Sequence, residues 1–257
     1  MLDQAKTDAA LYEFVLRMGD NTLILGHRIS EWCGVAPVLE EDIALANTAL
    51  DLIGQTQMWL GLAAEIAGDV KTADELAFLR DVWDFRNLLL VERPNGDFGH
   101  TILRQFLFDV FHKLQLTDLA QSPDPRIAEI AAKAVKEVSY HLERSRDTVI
   151  ALGDGTVESH ARMQAALDLL WPYVGEMFSS DPISQTVGLA GFATNPTNFR
   201  AAWDADVLPS LEQASLNVPT SIFAHKGGKT GAQHTEHLGH LLATMQWLQR
   251  AYPGASW

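Results

Sequence analysis

Apolar residues recur at helical spacing along most of the chain, and this periodicity limits the possible folds more than any other feature. Steps of three, four and seven residues connect the first set, which is Leu11, Phe14, Val15, Met18, Leu25, Ile29 and Trp32. Such steps mark one face of a long α-helix. The alternating pattern of half-buried strands does not occur in the sequence. We therefore predict an all-α protein.

A second long helix is predicted from about Glu40, where early acidic residues suit the positive end of the helix dipole. Its main stripe is Leu45, Thr48, Leu52, Gln55, Trp59 and Leu62. Its other faces are also largely apolar, through Ile43, Ala46, Leu50 and Ile53. A helix that is apolar nearly all round is usually buried. We therefore predict that this helix is central.

The rest of the chain carries the same signals. A short helix is predicted over residues 74–85, and a third long helix has the stripe Ile102, Phe106, Asp109, Lys113 and Leu116. Asp124 and Pro125 suit a helix start, and the stripe that follows is Ile127, Ala131, Ala134, Val138, His141 and Ser145. Later helices are predicted over about 157–178, with a kink at Pro172, from Pro196, and over about 234–251.

Four long helices with additional short ones predict a helical bundle. The 257 residues are 47% hydrophobic, which is enough for one large core. We predict a single domain over residues 1–257, with a loop-rich appended section over 179–232. Cys33 rules out an intrachain disulfide because it is the sole cysteine, and we expect it to be packed as a small hydrophobic residue.

The formal net charge of −14 argues against nucleic acid as a ligand, since an acidic chain repels phosphate backbones. The N-terminal sequence MLDQAKTDAALYEF does not resemble a signal peptide. No apolar run approaches the roughly 20 residues that span a bilayer. We therefore expect a soluble, cytoplasmic protein that does not bind a membrane.

Two short motifs resemble known ligand-binding sequences. The sequence GGKTG resembles the end of a phosphate-binding loop, but the required first glycine is replaced by Phe223. The sequence HTEHLGH contains His234, Glu236, His237 and His240. A surface metal site is one interpretation of this cluster. We favour a polar helix start whose histidines cap the helix or meet a partner, because spacing without a second cluster is weak evidence.

Polar residues inside the apolar stripes are more informative. Gln55, Asp109 and His141 each occupy a stripe position on a different long helix, and Glu31 lies beside the stripe of the first. Buried polar groups must be hydrogen-bonded and buried charges paired. One such residue is usually a satisfied core residue. Four of them on four helices resemble the layer in which helical bundles build metal sites.

Several long stretches resemble one known family, the C subunit of the bacterial phenylacetyl-CoA epoxidase, also called phenylacetate-CoA oxygenase. They are LRMGDNTLILGHRISEWCG, EDIALANTALDLIGQ, NLLLVERPNGDFGHTILRQFL, AAKAVKEVSYHLERS and HTEHLGHLLATMQWLQR. The resemblance covers about residues 11–257. It implies a ferritin-like fold and a structural role beside the catalytic subunit of the epoxidase and the other subunits of the complex. That complex is a multicomponent monooxygenase of phenylacetate catabolism, which forms the ring 1,2-epoxide of phenylacetyl-CoA.

The catalytic subunit shares this fold, so its iron ligands can be compared with this chain. Where it has a glutamate and a histidine on the second helix, this chain has Leu52 and Gln55. Where it has a second such pair on the fourth helix, this chain has Val138 and His141. Glu31 matches a retained carboxylate. Asp109 is the best candidate for another, with Gln105 as the alternative. The resemblance thus implies a degenerate diiron centre.

We therefore expect no catalytic residue and no cofactor in this chain, with the diiron centre in the partner subunit. A single divalent ion at Glu31, Asp109 and His141 stays open, because three ligands with an open position can bind one. Without a metal, we expect a hydrogen-bonded network in which His141 donates to Glu31 or Asp109 and Gln55 satisfies the remaining groups.

Two other functions stay open at this point. The chain could be a diiron oxygenase or metal-binding protein active on its own, or a free-standing helical protein that binds an acyl-CoA. The resemblance favours binding of phenylacetyl-CoA mainly by the partner. A homo-oligomer of the isolated chain, the stoichiometry of the complex and the face that meets the catalytic subunit are all undecided by the sequence.

Overall fold

The computed structural model describes residues 3–68, 71–220 and 223–255, which are helical over most of their length and contain no β-strand. This confirms the all-α prediction, and the long helices are consistent with a ferritin-like helical bundle. In chain order the helices are α1 (Gln4–Ser30), α2 (Leu39–Ala67), α3 (Ala73–Phe78), α4 (Phe98–Leu119), α5 (Pro125–Gly153), α6 (Val157–Leu170), α7 (Pro182–Leu189), α8 (Arg200–Gln213), α9 (Glu236–Met245) and α10 (Trp247–Ala251).

The residues form two compact units. The first comprises Met1–Pro94 with Lys226–Trp257, and the second comprises Asn95–His225. The single domain over residues 1–257 stays a prediction. Within the described residues, no helix is long and apolar enough to cross a membrane.

In the first unit, α1 and α2 pack along their length. Two glycines on α1 allow the close approach. A Cβ atom at Gly19 would lie 2.7 Å from Cγ of Leu60, and one at Gly26 would lie 3.3 Å from Cβ of Leu52. The buried Asp20, also on α1, pairs with Arg80 and accepts a hydrogen bond from the backbone N–H of Arg86 at 2.8 Å. Helix α1 is therefore held to α2 by apolar contacts and to the segment after α3 by polar ones.

The end of α1 corrects one prediction. The helix stops at Ser30, so Cys33 lies in the turn that follows and is exposed. Our expectation of a packed Cys33 is wrong, because the apolar stripe that predicted it continued past the true helix end to Trp32.

The environment of α2 corrects a second prediction. The predicted stripe from Leu45 to Leu62 is buried, as expected. The opposite face is not, because Ile43 is 53% exposed and Leu50 is 67% exposed. Helix α2 packs against α1 and, less extensively, against α3 within this unit. It is therefore not buried on all sides, although its composition suggested a central helix.

In the second unit, α4 packs against α5, α6 and α8. Every α4 residue from Gly99 to His112 is buried. The predicted stripe of α5 is buried as well. Helix α5 begins as predicted, since the Asp124 carboxylate accepts a hydrogen bond from the backbone N–H of Arg126 and Pro125 is the first helical residue. The indole N–H of Trp203 on α8 donates to the Leu107 carbonyl at 3.0 Å and ties α8 to α4.

The later helices differ in detail from the prediction. Helix α6 ends at Leu170 and continues as a 3₁₀ helix over Trp171–Phe178, so Pro172 changes the helix type rather than kinking one helix. The section over 179–232 contains α7 and α8, and its description as a loop-rich appended section stays a prediction. The predicted last helix is two, α9 and α10, and it begins at Glu236.

Candidate functional site

The predicted diiron-like positions divide evenly between the two units. Glu31, Leu52 and Gln55 belong to the first unit, and Asp109, Val138 and His141 belong to the second. The two sets of residues differ in charge and in hydrogen-bond partners.

In the first unit, Leu52 and Gln55 are fully buried on α2. Leu52 faces α1, since its Cβ lies against Gly26. An alkyl side chain at this position cannot coordinate a metal ion. Gln55, three residues further along the helix, offers a neutral amide in place of an imidazole. The two positions at which the resemblance puts metal ligands therefore carry no charge.

Glu31 lies immediately after α1, and 42% of its side chain is exposed. Its Oε1 accepts a hydrogen bond from Nη1 of Arg28 at 2.9 Å. The Arg28 side chain is buried and also donates to the backbone carbonyls of Glu92 and His237. The Glu31 carboxylate is thus engaged in an ion pair with an arginine, an interaction that the sequence did not suggest.

In the second unit, Asp109 is buried at the packed face between α4 and α5. Its Oδ1 accepts a hydrogen bond from Nε2 of Gln105 at 2.6 Å, and its Oδ2 accepts one from Oγ of Ser145 at 2.9 Å. Burial raises the pKa of Asp109 to about 8, although both hydrogen bonds and the charge of Arg144 act in the opposite direction. Asp109 is therefore mostly a neutral acid at pH 7.

A neutral Asp109 fits its surroundings. A protonated carboxyl can donate to Oγ of Ser145, and the Ser145 hydroxyl can then donate to the Leu142 carbonyl, which lies 3.3 Å away. Each member of this short chain keeps a hydrogen bond, as buried polar groups require. The group therefore links α4 to α5 without a net charge.

His112 lies one helical turn after Asp109 and was not among the predicted site residues. The ring is buried, and among the described residues neither of its nitrogens has a hydrogen-bond partner. Burial lowers the pKa of His112 to about 3, and the charge of His141 acts in the same direction. His112 is therefore neutral. The spacing Asp-x-x-His resembles the i, i+3 pattern of metal helices, and it is the signal that could have revealed this residue.

Val138 and His141 are both buried on α5. Val138 places another alkyl side chain at a position where the resemblance has a bridging glutamate. Gln105 and Ser145 donate to the two carboxylate oxygens of Asp109, and the hydrogen bond from His141 to Asp109 stays a prediction. Ser145 reaches Asp109 from one turn further along α5. The other predicted acceptor, Glu31, belongs to the first unit, and that pairing stays a prediction.

These donors do not fit a diiron centre. Two ferrous ions carry four positive charges, which ferritin-like proteins balance with carboxylates from four helices and two histidines. Here the six positions carry two alkyl groups, one amide, one histidine, one aspartate and a glutamate that pairs with arginine. Among the described residues, no three histidine, cysteine, aspartate or glutamate side chains are placed to hold a metal ion.

The histidine-rich motif near the C-terminus contains the start of α9, as expected for a helix start, and its first histidine has a role of its own. His234 is buried, with Nδ1 2.9 Å from Oε2 of Glu92 and Nε2 3.1 Å from the Phe85 carbonyl oxygen. Glu92 is also buried and accepts hydrogen bonds from Asn87 and from the backbone N–H of Thr235. His234 therefore fastens the segment before α9 to the loop over residues 85–92, instead of capping α9 or joining a surface cluster.

Together, the helices and their packing define a class of protein: an all-α protein consistent with a ferritin-like helical bundle. The chain belongs to the phenylacetic acid catabolic protein family, whose model matches residues 2–257. It is 49% identical over 247 residues to the C subunit of the 1,2-phenylacetyl-CoA epoxidase of Escherichia coli (strain K12). That similarity covers 96% of this chain and 99% of the relative. The resemblance stated from the sequence is confirmed.

Proposed function

We propose that this chain is a non-catalytic structural subunit of a phenylacetyl-CoA epoxidase and pairs with the diiron catalytic subunit in aerobic phenylacetate degradation. The observation that carries the proposal is the 49% identity to the C subunit of an epoxidase along nearly the whole of both chains. The relative's name describes it as one subunit of an enzyme, which implies partner subunits.

The chemistry of the buried positions supports a role without catalysis. Leu52 and Val138 place hydrocarbon where a diiron centre needs oxygen ligands, and both are fully buried. Gln55 is also fully buried and offers a neutral amide where the resemblance has a histidine ligand. O₂ activation and binding of phenylacetyl-CoA are therefore assigned mainly to the partner, and this subunit needs no cofactor.

The polar residues that remain have a structural role. The hydrogen bond from Ser145 to Asp109 joins α5 to α4. The hydrogen bond from Gln105, one turn earlier on α4, holds the Asp109 carboxyl in place. A buried polar contact of this kind disfavours other registers of the two helices, because any shift would leave a buried group without a partner. We place the complex in the cytoplasm, where the chain's single cysteine remains reduced.

Co-expression with the catalytic subunit of an epoxidase tests the proposal. We expect the two chains to copurify, with about two irons per pair and almost none in this chain purified alone. About two irons in the isolated chain would instead show a diiron protein in its own right. Failure to copurify would show that the chain does not act as a partner of the catalytic subunit.

A further inference from the structure

The exposed face of α2 is apolar to an extent that this chain's own packing does not explain. Leu39, Ile43 and Leu50 point away from α1, and all three are among the exposed large hydrophobic residues of the structure. Ile53 lies at the edge of this face: its Cγ1 is close to Gly26 of α1, but 38% of the residue is still exposed. The 22 residues from 43 to 64 contain one ionisable side chain, Asp51. Surface helices normally carry charged residues on the side that faces water. The usual reason for an exposed apolar strip of this kind is contact with another molecule.

Two glycines on the same face point to close contact. Among the described residues, a Cβ atom at Gly54 or Gly61 would meet no atom within 4 Å. Glycine inside a helix costs about 1 kcal/mol relative to alanine, and these two glycines provide no close contact within the chain. Gly19 and Gly26 on α1 are different, because α2 itself lies against them. A second backbone lying against Gly54 and Gly61 would account for both residues.

We propose that the outward face of α2 is the surface on which the catalytic subunit docks, and that the partner contributes an apolar helical face with basic residues around it. The proposal rests on the proposed function, since it assumes that such a partner exists. The residues of this docking face are Leu39, Ile43, Leu50, Ile53, Gly54 and Gly61.

The charge of α2 favours a different protein chain, rather than a second copy of this one, as the partner at the docking face. All five ionisable side chains of α2 are acidic, namely Glu40, Glu41, Asp42, Asp51 and Glu65. In a symmetric dimer the same patch meets itself, so these acids would face acids from the other copy. The net charge of −14 adds to that repulsion. A partner with lysine or arginine at the rim has a complementary potential instead.

The area of the docking face indicates how much of the whole interface α2 can supply. At 1.5 Å per residue, residues 43–64 extend about 33 Å. With a helix width of about 10 Å, the strip covers roughly 330 Å², which is less than half of the approximately 800 Å² that each partner buries in a standard interface. Helix α2 therefore supplies the apolar centre, and residues beside it supply the rest. Residues near the centre contribute most of the binding energy.

The test is binding of a purified epoxidase catalytic subunit to four forms of the full chain: wild type, Leu50→Glu, Gly61→Leu and the control Leu169→Glu. Leu169 is an exposed leucine on α6, so the control makes the same change on another helix. Circular dichroism and a thermal melt confirm folding of each form. Gly61→Leu extends into open space and removes a helix glycine, so it preserves the fold while blocking close approach.

We expect Leu50→Glu to weaken binding by more than about 100-fold, because it buries a charge without a partner, and Gly61→Leu by more than about tenfold. The control should bind like wild type. Binding of wild type and both α2 variants with equal affinity would overturn the docking face and leave the proposed function intact. No binding by wild type would overturn both. Sedimentation that shows a dimer of this chain, broken by Leu50→Glu, would assign the face to a second copy and overturn the choice of partner.

Discussion

Replacing Asp109 by asparagine should change how the stability of this protein depends on pH. The pKa of Asp109 is about 8 in the folded chain, against an ordinary value of 3.8. Between those values the folded protein holds a proton that the unfolded chain has released. The free energy of unfolding therefore falls as pH rises from about 4 to about 8. Asparagine does not titrate, so Asp109→Asn should lack this contribution.

The magnitude follows from the size of the window. Each pH unit inside it is worth about 1.4 kcal/mol. Between pH 5 and pH 7 the wild type should lose about 2.7 kcal/mol relative to Asp109→Asn. Asparagine can keep the first hydrogen bond and replace the second: its oxygen accepts from Ser145, and its amide group donates to Oε1 of Gln105 once the Gln105 amide turns over. This oxygen of Gln105 has no partner among the described residues. The substitution should therefore leave the packing of α4 against α5 unchanged.

The assay is urea denaturation followed by circular dichroism at pH 5, 6 and 7. Asp168→Asn serves as the control, because Asp168 is exposed on α6. We expect the difference between wild type and Asp109→Asn to change with pH, while the control remains parallel to wild type. A difference that is constant within about 0.5 kcal/mol over this range would refute the conclusion that burial keeps Asp109 neutral.

Three further predictions concern packing and ion pairs. Glu92→Gln should lower the free energy of unfolding by about 2 kcal/mol, because it weakens buried hydrogen bonds from His234 and Thr235; a thermal melt measures this, and an unchanged melting temperature would contradict it. Gly19→Ala should destabilise the chain by about 1–3 kcal/mol, because the new methyl group meets Leu60. Gly61→Ala should instead stabilise the isolated chain by up to about 1 kcal/mol, because alanine is the better helix former. Urea denaturation measures both, and equal effects would show that the two glycines do not differ in how closely they are packed. Glu31→Ala should cost no more than about 1 kcal/mol, since its side chain is 42% exposed and solvent screens the ion pair with Arg28; a larger loss would mean that the carboxylate has a stronger role.

The docking face explains why the apolar pattern of α2 predicted a central, buried helix. An α2 that is apolar nearly all round predicted a helix buried at the centre of the chain, and the structure leaves Ile43 and Leu50 exposed. Both observations agree if the burial is completed by another protein chain. Under the proposed function, the contribution of this chain to the complex is the surface that it offers to the catalytic partner.

The sequence by itself determined the fold class and the chemical identity of the candidate site. Helical periodicity and capping are local properties, so the long helices and the start of α5 at Asp124 and Pro125 were predicted correctly. Leu52, Gln55 and Val138 could be recognised as poor ligands because coordination depends on side-chain type.

Only the tertiary structure decided which polar groups meet and which apolar faces remain open. Hydrogen bonds to Asp109 come from Gln105 and from Ser145, which lies 36 residues away in the chain. The exposure of Cys33 and of the outer face of α2, and the burial of His112, likewise depend on which elements pack beside them. Burial and partner choice are set by contacts between distant segments, and a helical period indicates which residues share a face without indicating what that face touches.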